Sequence, residues 1–276
     1  MPQYVVERQG LYLYTVQHVA ATWANCPGRS ANCHSLLTVL CWGFLLSTSQ
    51  SRAPSPAKIA SVLHVLVYSD SLTWGIIPNT RQRLPFEARW PGILEKKLSD
   101  RGQPVRITED CLNGRRTVWE DPFKPGRNGI QGLAQRIESQ SPLDLVILML
   151  GTNDFQFCHP YNNAWSAGQG VITLVNEIRR APIEPGMPVP PILLIAPPPI
   201  GSPQGPVAAK FSGAEKKCTG LAEVYRQVSS DLACHFFDAG SVTPSSRVDG
   251  IHLDADQHIV LGQALADVVA PILTAS

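Results

Sequence analysis

Three side chains set the chemical question: Ser71, Asp249 and His252. A hydroxyl becomes a useful nucleophile when an imidazole takes its proton. The imidazole in turn needs a carboxylate to fix its tautomer. A separation of three residues lets Asp249 and His252 share one loop, and chain order is then Ser…Asp…His. Taken alone Ser71 is a weak signal, because serine in a strand-to-helix turn is commonly a helix cap. A metal site is the competing reading of the C-terminal cluster, since Asp254, Asp256 and His258 follow closely. Asp254-Ala255-Asp256-Gln257, however, has the form of a helix N-cap with a glutamine returning three residues later. That puts His258 inside a helix on another surface, and no metal is expected.

Acyl chemistry also needs donors for a developing oxyanion. Asn153, in Gly151-Thr152-Asn153-Asp154, offers a side-chain amide. Gly114, in Asn113-Gly114-Arg115, lets a backbone N–H approach a carbonyl with no side chain in the way. If a helix starts at Ser71, its first amides point to the same place. Each of these has a plainer reading as a turn, for which Gly, Asn and Asp are the usual residues. Trp74, Ile76 and Phe155 lie near these positions in the chain and are candidates for an acyl pocket or for ordinary core.

These residues share one kind of neighbour, a short apolar run just before them. Residues 62–68 form such a run ahead of Ser71, 105–108 precede Asn113, and 145–150 precede Gly151. Further strands are expected at 192–196 and 235–238. Helical periodicity falls at 87–98, 131–137, 171–178, 214–232 and 255–273. Continuously apolar strands alternating with helices predict an α/β protein whose parallel sheet is covered on both faces. In such sheets ligands bind beyond the carboxyl ends of the strands. The polar residues all fall there.

The bulk composition agrees. The chain has 276 residues, 44% of them hydrophobic and 16% charged, so it can bury a sizeable core. With a formal net charge of +1 and no dense run of Lys or Arg, it lacks the footprint of a nucleic-acid binder. A small neutral substrate fits this balance better than a polyanion. Seven cysteines, odd in number and widely spaced, without a C-x-x-C pair, read as free thiols and favour a reducing compartment. Residues 1–60 differ from the rest and are expected to be a poorly ordered tail or leader, with a Ser/Pro-rich linker at 47–57. The catalytic part is expected at 61–276, in a cytoplasmic protein. The apolar run 35–46 is short for a membrane span, and it makes the protein secreted or anchored if it acts as a signal sequence.

Four stretches together carry a resemblance. Ser69-Asp70-Ser71-Leu72, Leu112-Asn113-Gly114-Arg115, Gly151-Thr152-Asn153-Asp154 and Asp249-Gly250-Ile251-His252 resemble, in order, the four blocks of the SGNH (GDSL-type) hydrolases. Residues 143–154, with 236–240, resemble the bacterial arylesterase and acyltransferase subgroup in particular. The resemblance implies a three-layer α/β/α sandwich of flavodoxin-like type, no cofactor, and a subgroup whose members often assemble as homo-oligomers. It implies Ser71 as nucleophile, His252 as base, Asp249 as its orienter, and an oxyanion hole from Ser71, Gly114 and Asn153. The expected reaction is hydrolysis of small aryl or short alkyl esters through an acyl-serine. A histidine with a reference pKa of about 6.5 would make activity rise across neutral pH. Acyl transfer to an alcohol or peroxide, deacetylation of carbohydrate and a silent binding role are the alternatives. One position departs: Ser69 stands where the family usually has glycine, which matters if that residue needs a positive φ.

Overall fold

A computed structural model describes residues 62–275. The expected extension at 1–60 lies outside the described residues, with its linker, its 35–46 run and Cys26, Cys33 and Cys41.

Five parallel strands form one sheet: β1 (Leu63–Ser69), β2 (Val105–Cys111), β3 (Leu145–Met149), β4 (Ile192–Ala196) and β5 (His235–Asp238), in the order β2-β1-β3-β4-β5. The central strands are apolar at successive positions because both their faces are covered. Leu66, Tyr68, Val146, Leu148, Leu194 and Ala196 enter one core, while Val65, Val67, Leu145, Ile147, Leu193 and Ile195 enter the other. Helices α3 (Leu133–Gln140), α4 (Ala164–Arg179) and α6 (Leu221–Asp231) close the first face. Helices α2 (Trp90–Asp100) and α7 (Ala255–Ala275) close the second. Two short helices, α1 (Ser71–Trp74) and α5 (Ala214–Lys217), lie on connections. This is the expected three-layer arrangement. Leu265 of α7 is fully buried on the sheet, and emptying such a site by Leu→Ala costs about 2–5 kcal/mol.

Element boundaries differ from the periodicity where backbone chemistry intervenes. The expected helix at 87–98 is a 3₁₀ turn, Phe86–Ala88, followed by α2 with Pro91 in its first turn. The expected helix at 214–232 is two, interrupted before Leu221 by Gly220 in the left-handed region (φ +82). Helix α4 begins well before Val171, at a capping box in which Asn163 and Ser166 bond reciprocally. Gly168 and Gly170 obscure that half by their low helix propensity. The fold needs them because Val224 and Thr117 occupy the space a Cβ would take.

Topology fixes where a site can form. The connection after β1 leads outward to β2, and the one after β2 returns past β1 to β3. The order therefore reverses between β1 and β3, which opens a crevice beyond their carboxyl ends. Ser71 follows β1 and Asn153 follows β3.

Candidate active site

Ser71 is the first residue of α1, and Asp70 caps that helix by accepting the Leu72 N–H at 2.9 Å. One turn later Gly75 ends α1 in the left-handed region (φ +83). Strand, cap and short helix together hold the Ser71 hydroxyl at the sheet rim. The residue is only 6% exposed, so solvent meets it through the crevice alone.

His252 approaches from the loop between β5 and α7. Its Nε2 lies 3.2 Å from Ser71 Oγ, and its Nδ1 lies 2.7 Å from Asp249 Oδ2. The other Asp249 oxygen accepts the N–H groups of Ile251 and His252, both at 2.9 Å. Burial pushes the Asp249 carboxyl up, but the bond to His252, its charge and those two amides outweigh it and leave the group below its ordinary value. The loop is clasped from outside. Gly201 N–H donates to Gly250 O at 2.8 Å, Gln204 N–H to Asp249 O at 3.0 Å and Ser246 N–H to His252 O at 2.7 Å. Gly250 takes φ +75 against the Ser202 carbonyl, leaving no room for a Cβ. Nothing in the spacing of Gly201 or Gln204 advertises this clasp.

The three expected oxyanion donors face one cavity. Among the described residues no partner takes the N–H of Ser71 or of Gly114. Gly114 sits at φ +84, the conformation a glycine provides, with only the Arg127 side chain near the place of a Cβ, at 3.9 Å. Asn153 Nδ2 donates to Asp70 Oδ2 at 2.9 Å and to Arg115 O at 3.1 Å, while Gln156 Nε2 holds its Oδ1 at 2.7 Å. Arg115 itself stacks on Tyr68, 3.9 Å from the ring centroid, and donates to Ser69 O and Asp110. In this way the second block is locked to the end of β1. Asp154 accepts the Thr117 N–H and hydroxyl, and burial pushes its carboxyl up to about 7 against those bonds.

The cavity measures about 440 Å³, within the range of small-molecule sites. Ser71, His252 and Asn153 are in its lining, together with Trp74 and Ile76. Arg83 fixes Trp74 from outside, its guanidinium 4.7 Å over the indole and its Nε bonded to Trp74 O. Phe155 does not line the cavity. It is fully buried in the core on the α4 side, because the 3₁₀ turn Thr152–Phe155 aims it inward beneath the crevice. Sequence reasoning missed Val207 and Phe211, which come from the connection after β4.

The neighbouring acidic cluster is built as a cap. Gln257 Oε1 accepts the Asp254 N–H at 2.8 Å. His258 is fully buried in α7, and its Nδ1 accepts the Trp90 N–H at 3.3 Å. No three His, Cys, Asp or Glu side chains are placed to hold a metal ion among the described residues. Cys111, Cys158, Cys218 and Cys234 are free.

Ser69, the departure from the usual block, occupies the last position of β1 and has no positive φ. Its hydroxyl donates to Met149 O at 2.7 Å and accepts from Thr73 Oγ1 at 2.7 Å. The Trp90 indole N–H reaches the same Thr73 oxygen at 3.2 Å. A glycine's freedom is not used at this position. The serine instead joins β1, β3, α1 and α2 through one chain of bonds.

A doubly wound parallel sheet with a Ser–His–Asp array at its switch point defines a serine hydrolase. The model of the GDSL-like lipase/acylhydrolase family matches residues 70–259, and the chain belongs to that family. Among solved structures it is similar to the inhibitor-bound aryl esterase of M. smegmatis, at 33% identity and TM-score 0.72 over 76% of this chain and 100% of that one. It is also similar to a carbohydrate acetylesterase family member from Sinorhizobium meliloti, at 36% identity and TM-score 0.72 over 77% and 100%. No curated protein matches it.

Proposed function

We propose that this serine esterase hydrolyses small carboxylic esters through an acyl-serine formed on Ser71. The continuous contact from Ser71 Oγ through His252 to Asp249, at 3.2 and 2.7 Å, carries the assignment. Ser71 Oγ attacks the ester carbonyl as His252 Nε2 takes its proton, and Asp249 stabilises the imidazolium. The carbonyl oxygen becomes an oxyanion facing the N–H groups of Ser71 and Gly114 and the Asn153 amide. As the intermediate collapses, His252 returns the proton to the leaving alcohol. Water, deprotonated by the same imidazole, then attacks the acyl-serine and releases the acid. A cavity of about 440 Å³ suits short acyl and aryl or alkyl groups.

The experiment is an ester panel, with 4-nitrophenyl acetate first, on wild type beside Ser71→Ala. Wild type should turn over and label with a fluorophosphonate; the variant should do neither, with loss on the order of 10⁶-fold. Labelling that survives in Ser71→Ala overturns the assignment. The S. meliloti relative favours a second reading, removal of acetyl groups from carbohydrate by the same residues. An acetylated-sugar panel run alongside ranks the two.

A further inference from the structure

Three cations stand in the wall of the cavity that holds Ser71: Arg81, Lys124 and Lys210. They come from three connections far apart in the chain, following α1, β2 and β4. Among the described residues the only carboxylate in the same lining is Asp249, which is buried and committed to His252. The side chains of Arg81 and Lys124 have no hydrogen bond or ion pair among the described residues, although the Lys124 backbone N–H donates to Asp121 O. Lys210 Nζ lies 3.9 Å from Asp121 Oδ2, but the same oxygen already serves Arg116 at 3.2 Å. One carboxylate, Asp121, thus faces Arg116, Lys210 and Lys124 together, so positive charge in this wall exceeds its counter-charge.

Apolar surface lies beside that charge. Trp74, Ile76, Val207 and Phe211 line the same cavity, where low-dielectric walls strengthen each cation's field on a ligand. Burial, then the charges of Arg127 and Arg81, hold the Lys124 ammonium below the ordinary lysine range against the opposing charge of Asp121. Burial also holds Lys210 down, with Arg116 and Lys124 adding to it against Asp121. A ligand anion among these groups would relieve both penalties.

We propose that this wall is an anion subsite, and that the preferred esters carry a carboxylate apart from the scissile bond. The inference rests on the esterase reading for its chemistry, since Ser71 opens the ester while the cations hold the distant carboxylate. The carboxylate is a fixed charge that neither gains nor loses a proton in the reaction.

Binding and turnover test it separately. Ser71→Ala protein, which cannot consume the ligand, is titrated by calorimetry with 4-acetoxybenzoate and with phenyl acetate at low salt. A second pair, 4-nitrophenyl hemisuccinate and 4-nitrophenyl butyrate, moves the charge to the acyl side. In at least one pair the charged member should bind about tenfold tighter, and the gap should shrink in 0.5 M salt. Adding Arg81→Gln, Lys124→Gln and Lys210→Gln should close the gap to under twofold. Lys124→Glu with Lys210→Glu should make the charged member the weaker one. Equal affinity within both pairs overturns the subsite, as does a gap that survives the triple substitution. Failure of the esterase reading would show elsewhere, as wild type that turns over none of the four esters.

Discussion

The carboxylate of Asp70 holds the amide of Asn153: Oδ2 accepts Nδ2 at 2.9 Å across the crevice between β1 and β3. The same Asp70 caps α1 through Leu72, so one buried side chain sets both the nucleophile's helix and an oxyanion donor. Burial pushes its carboxyl up to about 6, and the Leu72 amide, the His252 charge and the Asn153 bond oppose that rise. Asn153→Ala should lower kcat about 100–1000-fold, the range for losing one such donor. Asp70→Asn sets an amide against an amide and should lower kcat at least tenfold. The double variant should lose less than the product of the two, because both act on one oxyanion. Steady-state kinetics on the three proteins decides it.

Asp249→Asn should leave the fold intact and lower kcat by roughly 10⁴-fold, because an amide can stabilise the wrong imidazole tautomer. An unchanged circular dichroism spectrum alongside the lost rate separates this effect from unfolding.

Ser69→Ala should cost about 1–3 kcal/mol in denaturant unfolding, since Met149 O and Thr73 Oγ1 each lose a buried partner. Ser69→Gly should cost more, through the added flexibility of the unfolded chain, and should not raise kcat. A gain in activity from Ser69→Gly would show that the glycine's conformation matters here after all.

His258 supplies a pH signature in stability. Burial, then the charges of Arg89 and His252, push its pKa down to about 4 from 6.5. A depressed histidine favours the neutral form in the folded state. Its contribution is therefore complete above pH 6.5 and is lost as pH falls toward 4. The full swing is on the order of 3 kcal/mol. His258→Gln, which keeps an acceptor for the Trp90 N–H, should be nearly free of this pH dependence. The gap in stability between wild type and variant should accordingly narrow from pH 7 to pH 4.5 in urea unfolding.

Much of this site was legible in the chain because its residues follow strands directly. The apolar run ending at Leu150 could only be a buried strand, and the triad needed only two loops. Phe155 was not legible, since a residue two beyond Asn153 can face cavity or core depending on the turn between them. The early half of α4 hid behind Gly168 and Gly170, whose worth is steric and appears only when Val224 and Thr117 arrive. The cationic wall was equally hidden. Arg81, Lys124 and Lys210 never form a run, and a net charge of +1 led to the expectation of a neutral substrate. Only the loops reveal how unevenly that charge is distributed.

The base and its orienter sit on the loop that leads into α7, while the nucleophile belongs to the first strand connection. Helix α7 follows directly on that loop and packs against α2, so both ends of the catalytic domain must be joined before a proton can leave the hydroxyl.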